Sequence, residues 1–243
     1  MSALGHMIEE QGVATVAISL IRPQTENTKP PRALWVPFEL GRPFGPPSDP
    51  AFQRRVILAA LRMLEEGGGP VRIEDFPDDD PRERPDPGWE PPFAGAAPVD
   101  GSTAALADAF EAELPRLAAA YEQSVKRRGR TTVGLSGLPI SAAAHYLAAW
   151  LLGEAPASPV ADMSAPLALR FVLDDLKAYY LEAALAPSSK PSSRQLADWL
   201  WNETAAGKAM FALRRANLDA ADERLKLIAS NFMVPGIRAV AAG

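Results

Sequence analysis

Val13-Ala14-Thr15-Val16-Ala17-Ile18-Ser19-Leu20-Ile21 is short, almost wholly apolar and rich in β-branched side chains. A strand covered on both faces, as in a parallel sheet, has this composition. Upstream, Leu4, Met7 and Ile8 fall at helical spacing, with Glu9 and Glu10 outside the stripe and Gly12 as a stop. A parallel sheet needs a strand feeding such a helix, and Met1 is reached first. Downstream comes a Pro-rich loop and a second strand candidate, Ala33 to Phe38, which Pro37 assigns to an edge or a strand end. Gly41-Arg42-Pro43-Phe44-Gly45-Pro46-Pro47 reads as irregular backbone. Ser48 or Asp49 then caps a helix with Pro50 at its first position. Phe52, Val56, Ala59, Ala60 and Met63 make its apolar face, Arg55, Arg62 and Glu66 its solvent face, and Gly67-Gly68-Gly69 its end. Residues 1–66 are thus predicted to be an α/β fragment, the remnant of a parallel sheet.

The chain has 243 residues, 47% of them hydrophobic and 23% charged, with a formal net charge of −5. These values describe an ordinary globular chain of one or two domains. No apolar run approaches the ~20 residues that span a bilayer, and the N-terminus lacks the basic-then-apolar pattern of a secretory signal. The absence of cysteine excludes disulfides and thiolate metal sites and fits a cytoplasmic location. The mild acidity argues against a nucleic-acid surface. Lys126-Arg127-Arg128-Gly129-Arg130 is the one basic cluster, and it reads as the favoured charge of a helix C-terminus.

Residues 67–100 are dense in proline, glycine and acid, hold no period, and are predicted to be an extended linker pinned by Ile73, Phe76, Trp89 and Phe93. The acids Glu74-Asp75 and Asp78-Asp79-Asp80 lack the glycine-centred loop of a calcium site and read as a solvated run.

Residues 101–243 carry helical periodicity throughout and are predicted to be an α-helical bundle of about five helices. Ser102 or Thr103 caps the first, which runs to about Arg128 with a kink or break at Pro115. Thr131 to Gly137 is a connector. Leu138-Pro139 opens a helix through Leu152, and Pro166 opens another with the stripe Leu169, Val172, Leu176, Tyr179, Ala183. Pro187 to Pro191 breaks it, Ser192 or Ser193 caps the next, and Leu225, Ile228, Ala229 and Phe232 mark the last.

His6 and His145 have no second histidine at ligand spacing, so no metal or other cofactor is expected. Asp174 and Asp175, adjacent on a helix, diverge by about 100° and cannot serve one site; Asp174 with Lys177 reads as a surface pair. Tyr179, Tyr180, Trp199 and Trp201 read as core. If a pocket forms instead, Tyr179 and Trp199 line it, and Asn202 and Glu203 are its polar candidates.

The residues Ile8, Glu9, Gly12, Val16, Pro31, Arg32, Ala33, Gly41, Pro43, Gly45, Pro47 and the run Gln53-Arg54-Arg55 together resemble the C-terminal end of the selenoprotein B family. That family comprises the B component of glycine, sarcosine and betaine reductases and the related D-proline reductase subunit. The resemblance covers roughly the first quarter of the chain. It implies an oxidoreductase that cleaves a C–N bond reductively in an amino acid or amine through a thiol or selenol. It marks Glu9, Gly12, Arg32, Gly41, Pro43 and Gly45 as structural or binding residues. The family's redox residue lies a few positions before the helix that starts here near Ser2, and no residue of this chain takes its place, so no catalytic residue is assigned. An ionised selenol there would be stabilised by the helix dipole. The chain is therefore expected to be inactive alone and to work with a Sec- or Cys-containing polypeptide or other reductase subunits, with no nucleic acid and no membrane. A selenocysteine codon is also a stop codon, which leads to the expectation of an in-frame UGA upstream of the Met1 codon. The alternative reading is a non-catalytic binding or structural subunit of a reductase-type complex.

Overall fold

Ala33 pairs with Ala17 on one side and with Ile73 on the other, so the strand that carries it is the middle of a sheet. The computed structural model describes residues 2–65, 70–95, 102–186, 190–236 and 238. The chain divides into two units, Met1–Arg84 and Pro85–Gly243.

In the first unit, β1 (Ala17–Ser19), β2 (Arg32–Trp35) and β3 (Arg72–Asp75) form a parallel sheet in that order. Helices α1 (Ser2–Glu9), α2 (Arg22–Thr28) and α3 (Pro50–Glu65) precede and connect them. The α/β character is as expected, but the roles of the strands differ. Only Ala17–Ser19 of the stretch 13–21 joins the ladder, and its residues are half-buried because β1 lies at the edge. Val13 is exposed, and Thr15 is held by a side chain, not by a strand. The Ala33–Phe38 segment supplies the central strand. Pro37 costs it nothing: the strand ends at Trp35, and the last ladder bond comes from Val36 N–H to the Ser19 carbonyl at 2.9 Å.

The core of this unit lies between β2 and α3. Phe52, Val56, Ala60 and Met63 are its buried helical face, the face that the spacing predicts. Asp49 Oδ1 accepts from Phe52 N–H and so starts α3. Three phenylalanines close the core, with Phe38–Phe52, Phe38–Phe76 and Phe52–Phe76 centroids at 5.6, 5.8 and 5.9 Å. Fully burying each such ring contributes about 1.5–3 kcal/mol.

The expected linker over 67–100 is corrected on both sides. Residues 66–69 and 96–100 lie outside the described residues. Between them, Arg72–Asp75 is a strand, docked by Arg72 N–H to the Pro31 carbonyl and Phe76 N–H to the Trp35 carbonyl. Asp78 of the acidic run pairs with Arg55 on α3. Beyond Pro85 the chain is tied into the second unit. Gln195 brackets Asp86, accepting from its N–H and donating to its carbonyl, and the Trp199 indole donates to the Phe93 carbonyl at 3.1 Å.

The second unit is helical among its described residues. It contains α4 (Thr103–Arg128), α5 (Ile140–Leu151), α6 (Ala165–Ala184), α7 (Ser193–Asp198), a single wide turn at Trp199–Glu203 with π-type spacing, α8 (Ala205–Asn217) and α9 (Glu223–Asn231). Side-chain caps start four of them at Ser102, Ser192, Thr204 and Asp222. α4 runs unbroken through Pro115, with Leu114 and Leu117 buried on either side. Lys126, Arg127 and Arg128 form its last turn, where Arg127 donates to the carbonyls of Leu185 and Ala186. The core draws on α4, α5, α6, the wide turn and α8 through Phe110, Leu147, Leu169, Leu176, Trp199 and Met210. Residues 187–189 of the expected break lie outside the described residues. No helix among the described residues is long and apolar enough to cross a membrane.

Candidate functional site

Among the described residues, β1 has a neighbour on one side only. In a parallel ladder, alternate residues present their backbone groups to opposite sides. Ser19 faces β2 through its carbonyl, so the N–H and C=O of Ile18 face the unpaired edge. A cleft of about 730 Å³ takes in all five residues from Ala17 to Ile21. Side chains on a strand alternate between its two faces. A cleft lined by five consecutive residues therefore follows the edge, not one face.

Its other walls come from α1 and α2. Ser2 Oγ donates to Thr28 Oγ1 at 2.9 Å, which ties the first turn of α1 to the last turn of α2. His6 Nε2 lies 2.7 Å from the Lys29 carbonyl. A carbonyl only accepts, so Nε2 carries the hydrogen, and Nδ1 is the free acceptor of the neutral ring. Thr25 Oγ1 donates to the Ile21 carbonyl at 2.9 Å, so the hydrogen of the adjoining bond comes from Ser19 Oγ. The cleft thus offers one imidazole acceptor, two ordered hydroxyl relays and a strand edge. It contains no thiol, since the chain has no cysteine.

The residues marked by the resemblance lie elsewhere in the same unit and hold its frame. Glu9 Oε1 accepts from Thr15 N–H at 2.8 Å, Thr15 Oγ1 at 2.9 Å and Arg32 at 2.6 Å. Burial pulls this carboxyl upward, but the bonds from Thr15 and Arg32 outweigh it and hold the pKa below the ordinary value. Gly12 and Gly41 turn the chain at φ +82° and +89°. Gly45 needs to be glycine twice over: its φ is +83°, and a Cβ would lie 2.5 Å from the Phe52 ring. Pro43 sits in the turn closed by Gly45 N–H to the Arg42 carbonyl. These residues shape the loop before α3 and the α1–β1 junction.

The alternative pocket is not assembled. Trp199 and Tyr179 are buried in the core, 0% and 3% exposed, whereas Asn202 and Glu203 are exposed on the wide turn. Tyr179 does border a different cavity of about 520 Å³, with Pro115 and Leu114 of α4 and Ile140 and Ala144 of α5. Its hydroxyl is already committed to the Leu114 carbonyl.

Spacing alone does not single out Glu113 or Glu182, and it sets Asp175 only against Asp174; all three are buried. Glu113 accepts from Tyr180 Oη at 2.9 Å and from the N–H groups of Ala205 and Ala206, which begin α8. Burial raises its pKa despite those bonds. Burial and the neighbouring Glu113 raise that of Tyr180 well above the phenol value. Asp175 accepts from the N–H groups of Gly134, Leu135 and Ser136 and from Ser136 Oγ. Glu182 accepts from Thr131 Oγ1 and from Thr132 N–H and Oγ1. Each acid stands on an apolar helical stripe, and that was the available signal. Asp175 takes four structural donors and Glu113 and Glu182 three each, so all three fix loops and helix starts. Asp174, by contrast, turns away from Asp175 and pairs with Arg170 and Lys177.

No family model, no curated protein and no solved structure matches the chain.

Proposed function

We propose that residues 1–66, within the unit Met1–Arg84, correspond to the C-terminal part of a selenoprotein B-like α/β reductase domain, and that a Sec- or Cys-containing polypeptide completes it along the β1 edge. The reaction is the reductive cleavage of a C–N bond in an amino acid or amine. Each turnover oxidises two thiols to a disulfide, reduces the carbon by two electrons and releases the nitrogen as ammonium or an amine. The carrying observation is the cleft along the unpaired edge of β1, with the first turn of α1 and His6 on its wall. A thiolate or selenolate delivered there meets a helix N-terminus that favours its ionised form. His6 Nδ1 is placed to handle a proton, which is the base's part in such chemistry.

The second unit is read as a small helical bundle in a non-catalytic role. The commitment of Glu113, Asp175 and Glu182 to backbone donors supports a scaffold, and with it the second reading, a binding or structural subunit of a reductase-type complex.

Photo-cross-linking from position 24 separates the two. Gln24 lines the cleft and is exposed. With a photoreactive residue at that position in the native host, the first reading expects an adduct on a polypeptide with cysteine or selenocysteine close to the cross-linked site. An adduct with no such residue nearby leaves the structural reading.

A further inference from the structure

α6 and α9 enclose a groove of about 580 Å³ within the Pro85–Gly243 unit. Phe171 and Ile228 form its deeper wall. Leu167, Leu227 and Phe232 form the lips and are 42%, 56% and 42% exposed. Apolar side chains this open, gathered at one groove, mark a surface that something covers. Two arginines share the same lining.

No acid stands among the described residues of that lining. Asp174 pairs with both Arg170 and Lys177, so one carboxylate serves two cations. Arg170 Cζ lies over the Phe232 ring, 4.5 Å from its centroid, and Lys177 Nζ donates to the Phe232 carbonyl at 3.1 Å. Burial depresses the pKa of Lys177, against the raising bond and charge of Asp174. Arg224 is exposed and makes no ion pair among the described residues. Asp222, two residues before Arg224, is spent on the start of α9, accepting from Arg224 N–H and Leu225 N–H, and Glu223 lies outside the groove lining.

We propose that this groove binds a small organic acid with an apolar body, its carboxylate on Arg224 and its aliphatic or aromatic part against Phe171, Leu227 and Phe232. The volume falls in the range of about 300–1,000 Å³ typical of small-ligand sites. A guanidinium holds a carboxylate by two parallel hydrogen bonds, the strongest pairing such a side chain makes. The ligand's carboxylate pairs with Arg224 in a lining that holds no acid, and its body covers the open lips. The site lies in the second unit and is independent of the reductase reading.

Calorimetric titration of the full chain with octanoate, octanol and octylammonium tests it. Octanoate is expected to bind one per chain, and the alcohol and the amine at least about tenfold more weakly. R224Q is expected to weaken octanoate by about tenfold or more without moving the thermal midpoint, because Arg224 supports no other group. L227E is expected to abolish binding. Equal affinity for octanol and octanoate, or an unchanged affinity in R224Q, overturns the proposal. So does sedimentation showing a dimer that L227E dissolves while wild type binds no octanoate, since the groove is then an interface between copies.

Discussion

Asp175 and Glu182 stand seven residues apart on α6 and hold the two halves of one loop. Asp175 gathers the N–H groups of Gly134, Leu135 and Ser136, and Glu182 gathers Thr131 and Thr132. Seven residues are close to two helical turns, so both carboxylates leave the same face. The connector between α4 and α5 has no regular structure, and the backbone N–H groups of Thr132, Gly134, Leu135 and Ser136 find their partners on those two side chains.

Asp175→Ala should therefore cost about 3 kcal/mol or more, because three backbone donors and a hydroxyl lose their acceptor together. Urea denaturation measures the loss. Hydrogen exchange of the Gly134–Ser136 amides should accelerate ahead of the helices. An unchanged urea midpoint would show that water replaces Asp175 at no cost.

Glu113 and Glu182 should give stability profiles of opposite slope. Burial holds the Glu113 pKa above the ordinary 4.5, so its folded state binds the proton more tightly than the unfolded chain. Its contribution is full below pH 4.5 and is lost as pH rises through the folded value. For Glu182, burial also pulls upward, but the bonds from Thr132 and Thr131 and the charge of Arg128 outweigh it and lower the pKa. Its contribution is full above 4.5 and is lost as pH falls through the folded value. Wild type should lose stability relative to Glu113→Gln as pH rises from 4.5, and relative to Glu182→Gln as pH falls below it. Parallel slopes in the two series would contradict the assignment.

Gly207→Ala should be among the most damaging single changes in the helical unit. An added Cβ would lie 2.1 Å from the Leu200 carbonyl oxygen and 2.8 Å from Trp201 Cα, both backbone atoms that cannot swing aside. Overpacking of this kind costs about 1–3 kcal/mol or more. Thermal unfolding should show a drop of several degrees. A wild-type midpoint would mean that the turn at Trp199–Glu203 adapts freely.

Much of the architecture was legible in side-chain spacing. The α3 face of Phe52, Val56, Ala60 and Met63 and the caps at Asp49, Ser102 and Ser192 follow from local chemistry alone. β3 was not legible. Arg72, Glu74 and Asp75 look like linker, and the strand exists because Ala33 and Trp35 leave backbone groups for it to pair with. α2 hid in the Pro-rich loop because Pro23, which reads as a breaker, stands in its first turn, where proline is tolerated. The wide turn at Trp199–Glu203 hid for the reverse reason: its side chains keep a helical period while Thr204 and Gly207 restart the helix. The cleft could not be read at all, since it follows from which edge of β1 is left unpaired, a property of register. The resemblance directed attention to Glu9, Arg32 and Gly45, which brace the unit, and away from His6 and Ser19, which line the cleft.

Amine release decides the central claim. The affinity-tagged chain, recovered from its native cells with its bound polypeptides, is given glycine, sarcosine, betaine or D-proline with dithiothreitol, before and after alkylation by iodoacetamide. The chain itself has no cysteine to alkylate. The account predicts reductive C–N cleavage by the complex, seen as ammonia or amine release or as ring opening of D-proline. It also predicts loss of this activity on alkylation, a marked decrease with His6→Ala, and none from the isolated chain. A complex that carries no Cys- or Sec-containing polypeptide and cleaves none of these substrates would contradict it.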